Sequence, residues 1–181
     1  MFKSLETERL VLRKFNEDDF AAVHGYASCI ENVLFMGWGP NSEEDTREFI
    51  QMAITSADKQ PCEKNYFAVV LKGSGQLIGG CDISIEGTCG HIGWIIHRDY
   101  WRQGYCTELA TELLRFGFKE LNVRRIITSC DAENVGSYRV MEKIGMRREG
   151  LFIEAAPAHK QSKKMYGDEL FYAMLKGEWE R

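Results

Sequence analysis

Apolar and polar positions along this chain follow two periods. Short runs of branched and aromatic residues, bounded by glycine-rich turns, predict strands over Leu10–Lys14, Tyr66–Leu71, Gln76–Ile85, His91–His97 and Arg125–Cys130. Lys72-Gly73-Ser74-Gly75 between the second and third reads as a hairpin turn, and Glu86-Gly87-Thr88-Cys89-Gly90 is the next turn. Helical spacing appears at Phe20, Val23, His24 and Ala27, behind Asn16 as N-cap. It appears again at Phe49, Ile50, Ala53 and Ile54, behind the capping-box pattern Ser42-Glu43-Glu44-Asp45. A third helix, Thr107 to Leu121, places Ala110, Leu113, Leu114, Gly117, Phe118 and Leu121 on one face. A short fourth helix ends in Glu142-Lys143-Ile144-Gly145-Met146, with Gly145 as a left-handed stop. Strand-like stretches near Arg147–Ile153 and Glu169–Leu175 then flank Glu154–Met165, which is polar, rich in lysine and reads as an exposed loop. Asn32–Asn41 is apolar and glycine-rich without a clear period. It either roofs a pocket or packs as a connecting loop.

The most informative stretch is Trp101-Arg102-Gln103-Gly104-Tyr105-Cys106-Thr107-Glu108, which joins a predicted strand to a predicted helix. Such a junction gathers unpaired backbone N–H groups and partial positive charge at a helix start, where phosphate binds. Gly104 permits the tight turn and close backbone approach. A second strand-turn-helix unit follows about thirty residues on, through Asp131-Ala132-Glu133-Asn134-Val135-Gly136-Ser137. Two helix starts then face one sheet edge, and the crevice between adjacent strand ends is where ligands sit in such sheets. Gly73-Ser74-Gly75 with Gly79 fails the dinucleotide fingerprint in spacing, and a strand follows it instead of a helix.

Composition narrows the classes. A chain of 181 residues with 44% hydrophobic content suits one domain, 1–181, with a substantial core. The net charge of −4 argues against a nucleic-acid partner held by a basic surface. No apolar run approaches the length of a membrane span, and Met1–Glu6 lacks the apolar stretch of a secretion signal, so a cytoplasmic location is expected. The cysteines Cys29, Cys62, Cys81, Cys89, Cys106 and Cys130 show neither C-x-x-C nor zinc-like spacing. Neither a metal site nor a disulfide framework is expected, and Cys81, Cys106 and Cys130 read as small buried hydrophobes.

Taken in order, Leu5-Glu6-Thr7-Glu8-Arg9-Leu10-Val11-Leu12-Arg13, Leu77-Ile78-Gly79-Gly80, the Trp101–Glu108 turn, Asn134-Val135-Gly136-Ser137, Glu142–Met146, Gly167–Met174 and Glu178-Trp179 carry a resemblance over nearly the whole chain. The sequence resembles the GNAT superfamily of N-acetyltransferases, nearest the ribosomal-protein N-terminal acetyltransferase (RimJ/RimL-like) subgroup. The resemblance implies an α/β (α+β) fold: a mixed, mostly antiparallel twisted sheet with flanking helices. It implies acetyl-CoA as acetyl donor and a primary amine as acceptor, on a protein N-terminus or a small molecule, in a monomer or homodimer. A non-catalytic acyl-CoA sensor or an interaction domain is the alternative. The family's phosphate loop often starts with Arg or Gln and ends with Gly or Ala. Here those places hold Trp101 and Cys106, and Cys106 is small enough to fit. Arg102 stands where the subgroup has glycine, and either contacts phosphate or points into solvent.

By the same resemblance, a bulged strand ahead of the loop splays from its neighbour and offers main-chain groups of Ile95, Ile96 and His97 to the pantetheine arm. Arg102, Gln103, Gly104, Tyr105, Cys106 and Thr107 hold the pyrophosphate, and Asn134 bonds the pantetheine arm, caps the next helix, or does both. Ser137 is the candidate acid for the leaving thiolate, against a plain capping role. The tyrosine that many relatives use for this falls at Met141, and Tyr138 reads as packing. His91 is the candidate base, in the place where many relatives carry glutamate, and a side chain that titrates near neutrality suits proton abstraction. Asp82 or Glu86 acting through water, or no single base, are the alternatives. Asp168 either orients the substrate ammonium or serves as a turn aspartate.

Overall fold

A computed structural model of the chain describes residues 4–57 and 64–180; Cys62 lies outside the described residues. Among the described residues eight strands form one sheet: β1 Leu5–Glu6, β2 Leu10–Arg13, β3 Lys64–Leu71, β4 Leu77–Glu86, β5 Cys89–Ile96, β6 Arg125–Asp131, β7 Arg147–Pro157 and β8 Tyr166–Leu175. Their spatial order is β1-β2-β3-β4-β5-β6-β8-β7. Neighbours run antiparallel except β5 and β6. The helices are α1 Phe20–Ala27, α2 Glu43–Ala57, α3 Tyr105–Arg115, α4 Val135–Lys143 and the short α5 Lys176–Trp179. This is the mixed, mostly antiparallel sheet with flanking helices that the resemblance implies.

Strand alternation sorts the core into two layers. Phe67 and Val69 of β3 face one way and pack with Leu109, Leu113 and Leu114 of α3. Ala68 and Val70 face the other way and pack with Val23 and Tyr26 of α1 and Ile50 and Ala53 of α2. Full burial of each large apolar side chain stabilises the fold by about 1.5–3 kcal/mol. The capping box at α2 forms as its sequence predicts: the Asp45 N–H donates to Ser42 Oγ at 3.2 Å, and the Ser42 N–H donates to the Asp45 carboxylate at 2.8 Å. Gly145 takes φ +82° at the end of α4.

Several boundaries differ from the sequence reading: β1 is not among the expected strands, and β8 starts at Tyr166, ahead of Glu169. The third helix starts earlier, at Tyr105, and gives way at Phe116 to a five-residue π turn, Phe116–Glu120. That wider turn buries Phe116, Gly117 and Phe118 in succession. The expected exposed loop Glu154–Met165 is shortened at its start: β7 takes residues 154–157, while residues 158–165 join β7 to β8 outside any strand and are mostly exposed. β7 continues to Pro157 and re-pairs with β8 at Ala156↔Gly167 and Pro157↔Tyr166, after a register shift between Phe152 and Ala156. Glu154 turns left-handed there, φ +50°, and its N–H donates to the Asp168 carboxylate at 3.0 Å.

The feature that shapes the site is the pair β5 and β6. They are parallel neighbours only at Cys89↔Arg125, Gly90↔Ile126 and His91↔Ile127. From Ile92 onward β5 has no ladder on that side, so the sheet opens into a V between the two strand ends. The expected bulge in β5 is absent from its pairing with β4, whose register runs unbroken from Gly79↔Ile96 to Glu86↔Cys89. The divergence of β6 alone makes the opening.

Candidate active site

Two cavities meet at the V. The larger, about 720 Å³, lies between the sheet and α1–α2; the other, about 680 Å³, lies between the strand ends and the starts of α3 and α4. Both volumes suit a small organic ligand. Met36, Trp94 and Ile95 line both, so β5 forms the partition between them. The segment Asn32–Asn41, left open by its sequence, supplies Met36, Trp38, Gly39 and Asn41 to the first cavity and therefore walls a pocket.

The second cavity is built to receive an anion and an extended chain. In the loop ahead of α3, Arg102 takes φ +60° and Gly104 φ +84°, two left-handed residues that turn successive N–H groups toward one side. The first α3 hydrogen bond runs from the Glu108 N–H to the Gly104 carbonyl at 3.1 Å, which leaves the N–H groups of Tyr105, Cys106 and Thr107 without a partner four residues back. Arg102, Gly104, Tyr105, Cys106 and Thr107 line this cavity; Gln103 does not, its side chain donating instead to the Asp99 carbonyl at 3.0 Å. Burial pushes the Cys106 thiol up to about 12, so it acts as a small neutral filler.

The opposite rim is the start of α4. Asn134 and Ser137 line the cavity. Asn134 Oδ1 accepts the Ser137 N–H at 3.1 Å, a helix cap, while its Nδ2 hydrogens are uncommitted. The Ser137 hydroxyl lies against the Cys130 thiol, whose own value is pushed up to about 12, first by burial and then by Asp131 and Glu169. Tyr138 packs on the core, and Met141 is buried.

Along the partition the ladder fixes which main-chain groups are free. The His97 N–H donates to the Ile78 carbonyl at 2.7 Å, so His97, Ile95 and Gly93 aim their groups at β4. Trp94 and Ile96 aim theirs into the V. The Ile96 carbonyl is already claimed, by Asn32 Nδ2 at 2.8 Å and Trp101 Nε1 at 2.7 Å. The buried Asn32 also accepts the Arg98 N–H at 3.2 Å. The cleft-facing groups are therefore the Trp94 N–H and C=O and the Ile96 N–H. Of the three residues expected to present main chain, Ile95 and Ile96 line the cavity and His97 does not.

His91 is exposed on β5, opposite Ser84, and lines neither cavity. Glu86 is exposed at the β4–β5 turn, and Asp168 braces the β7 bulge. Asp82 is different. It is paired across from Gly93, lines the first cavity, and sits 3.3 Å from Lys64 Nζ with its side chain three-quarters buried. Burial raises its carboxyl above the ordinary range against the opposing pull of Lys64 and His91.

Sequence reasoning also left out what holds the loop from behind. Arg9 Nη1 donates to the Gln103 carbonyl at 3.0 Å, and its guanidinium stacks 4.4 Å from the Tyr105 ring centre. The Glu108 carboxylate accepts from Thr7 Oγ1 at 2.5 Å, the Arg9 N–H at 2.7 Å and Arg9 Nε at 2.6 Å. Burial pushes Glu108 up, but those donors outweigh it and leave the carboxyl below its ordinary value. A carboxyl lowered on folding contributes stability above its ordinary value of 4.5 and loses it as pH falls through the lower folded value. Wild type should therefore exceed E108Q by about 1 kcal/mol above that window and match it below. Urea unfolding across a pH series checks this, and a pH-independent difference would refute it.

Among the described residues no group of metal-ligating side chains converges, and Cys29, Cys81, Cys89, Cys106 and Cys130 are free thiols. No described helix is long and apolar enough to cross a membrane.

Comparison with known proteins agrees with this geometry. Residues 9–147 match the family model described as an acetyltransferase (GNAT) domain. The chain is 38% identical over 179 residues to the uncharacterized N-acetyltransferase YnaD of Bacillus subtilis (strain 168), covering 97% of this chain and 98% of that one. The crystal structure of a GNAT-family acetyltransferase from Bacillus anthracis superposes with a TM-score of 0.84 at 38% identity, covering 97% of this chain and 100% of that one. A spermidine N-acetyltransferase from Vibrio cholerae, solved with CoA and spermine, shares the fold at a TM-score of 0.79 and 19% identity, over 95% of this chain and 98% of that one. An open V beside a left-handed phosphate-type loop, matched by that family model and by relatives of near-equal length, places this chain in the GNAT family of acetyltransferases.

Proposed function

We propose that the chain, working as one catalytic domain, transfers an acetyl group from acetyl-CoA to a primary amine by direct attack on the thioester. The observation that carries this reading is the partition: two ligand-sized cavities, one lined by helix-start N–H groups and one by aromatic and acidic side chains, meet only along Trp94 and Ile95 and under Met36. A transferase with two substrates needs such a meeting point, so that the reacting groups are held in contact.

The residues of the second cavity fit a CoA ester. Bound there, acetyl-CoA supplies an activated acyl thioester. The N–H groups of the Arg102–Thr107 loop, Gln103 included as part of that main chain, hold the pyrophosphate. Trp94 and Ile96 pair with the pantetheine arm as a neighbouring strand would, together with Asn134 Nδ2. A cleft-facing N–H of this pair stabilises negative charge on the thioester oxygen. Ser137, half-buried at the α4 start, donates the proton to the leaving thiolate. Kinship in sequence with the RimJ/RimL-like subgroup, without a commitment to that subgroup's protein acceptors, a cytoplasmic setting and a monomeric or homodimeric state complete the proposal. The opening resemblance over Leu5–Arg13 and the net charge of −4 support it.

Calorimetric titration with acetyl-CoA, compared with S-acetylpantetheine, which lacks the pyrophosphate, tests the site, and release of free thiol with an amine present tests the chemistry. Micromolar binding that weakens without the pyrophosphate, followed by thiol release, is expected. Binding without release would make the chain an acyl-CoA sensor, and no binding by folded protein would remove the enzyme reading.

A further inference from the structure

We propose that Asp82 receives the acceptor ammonium directly and takes its proton, and that the acceptor is a compact amine on an apolar or aromatic body. This rests on the acetyl-transfer reading above and assigns its other half.

The placement comes from the ladder. Asp82 sits opposite Gly93, on the sheet face that the first cavity covers and next to Trp94, whose main chain faces the V. Gly93 has no side chain, and a Cβ built there would stand 3.2 Å from Asp82 Oδ1. The carboxylate therefore lies across β5 beside the junction of the two cavities. Lys64 Nζ, 3.3 Å away on β3, holds it there and is itself stacked 4.8 Å from the Tyr66 ring centre. A carboxyl in this setting meets the two demands on a general base, reach to the substrate and a proton affinity above that of an exposed carboxylate.

The walls describe the acceptor. Phe15, Phe49 and Tyr66 form an edge-to-face series with centroid separations of 5.4 and 5.9 Å, and Trp38 and Met52 add apolar surface. Asp45 and Glu48 are exposed lining residues on α2, and Lys64 is the cavity's basic side chain, so an incoming cation is favoured. A ring or hydrocarbon body fills such a wall, and its ammonium gains from aromatic faces on the way to Asp82. A peptide would bring several amide groups, and the lining offers them mostly hydrocarbon and aromatic surface.

The chemistry balances. Asp82 takes one proton from the ammonium, and the free amine forms the C–N bond as the C–S bond breaks. Ser137 gives its proton to the departing thiolate and regains one from the amide nitrogen, through solvent. The proton on Asp82 leaves to solvent, so the products are the amide, free CoA and one proton.

The test compares D82N, D82E, K64Q and H91Q with wild type, using 2-phenylethylamine, spermidine and a hexapeptide with a free N-terminus as acceptors. D82N should bind acetyl-CoA as wild type does in calorimetry, which also shows that it folds. It should bind 2-phenylethylamine more weakly and lose about a hundredfold in turnover, and D82E should recover part of that. The acid limb of kcat/KM should lie above the ordinary carboxylate range of about 4, vanish in D82N, and move to higher pH in K64Q. The groups facing Asp82 are Lys64 and Tyr66 from β3 and His91 from β5, with Tyr26 of α1 and Asp45 and Glu48 of α2 across the cavity. Wild-type turnover in D82N, or a loss in H91Q as large as that in D82N, would overturn the base assignment. Turnover of the hexapeptide or spermidine equal to that of 2-phenylethylamine would overturn the acceptor class. Failure of wild type to bind acetyl-CoA would instead remove the acetyl-transfer reading.

Discussion

Replacing Gly79 with alanine is expected to destabilise the protein by about 3 kcal/mol or more, lowering its melting temperature by on the order of 10 °C. Gly79 lies opposite Ile96, and a methyl group on it would sit 2.1 Å from the Ile95 carbonyl oxygen and 2.9 Å from Ile96 Cα. Those are main-chain atoms, so no rotamer change relieves the contact. The strands have little room to part, because β4 is paired with β3 on its other edge and the His97 N–H holds the Ile78 carbonyl at 2.7 Å. Gly80→Ala is the internal comparison. Its methyl would meet the Phe15 and Tyr26 side chains at 3.3 Å, which can shift by a few tenths of an ångström. Chemical and thermal unfolding of both variants measures the difference. Equal stabilities for the two would mean that β4 and β5 do not approach this closely.

Gly104→Val should fold and lose acetyl-CoA affinity by on the order of a hundredfold. At φ +84° a β-branched side chain is strained, and its Cβ would also press on Arg9 Nη2 at 3.3 Å. That strain either persists as lost stability or is relieved by rearranging the loop. The loop is on the surface, with Trp101 to Gly104 exposed, so rearrangement is the cheaper course and the N–H cradle is what changes. The readout is calorimetric affinity together with a melting curve. Undiminished affinity in a folded G104V protein would show that the pyrophosphate is held elsewhere.

What could be read from the sequence was local. Gly104, Gly145, the Ser42–Asp45 cap and the Asn134 turn depend on dihedrals and neighbours a few residues away, and each shows in residue type alone. The strands were legible from branched runs for the same reason. The surroundings of the proposed base were not, because His91 and Asp82 lie on different strands and only the register brings Asp82 opposite Gly93. Nor could sequence show Arg9 behind the phosphate loop, since its Gln103 partner is 94 residues away. The choice among Ile95, Ile96 and His97 turned on the phase of an antiparallel ladder, where a shift of one residue exchanges the groups aimed at β4 for those aimed into the V. The end of β7 escaped because pairing resumes at Ala156 and Pro157 only after a register shift, in a segment whose composition reads as the loop that residues 158–165 are.

Asn32 gives the two cavities a common mechanical element. Its amide clamps the Ile96 carbonyl and the Arg98 N–H at the end of β5, while the chain that follows it, through Met36 to Asn41, walls the first cavity. With the two ligands placed as proposed, a shift of that wall would be passed to the strand through these two hydrogen bonds. Equilibrium coupling of this kind is reciprocal. Whatever factor an acceptor imposes on acetyl-CoA affinity, acetyl-CoA must impose on the acceptor's, and cutting the amide at residue 32 should bring both factors toward unity together.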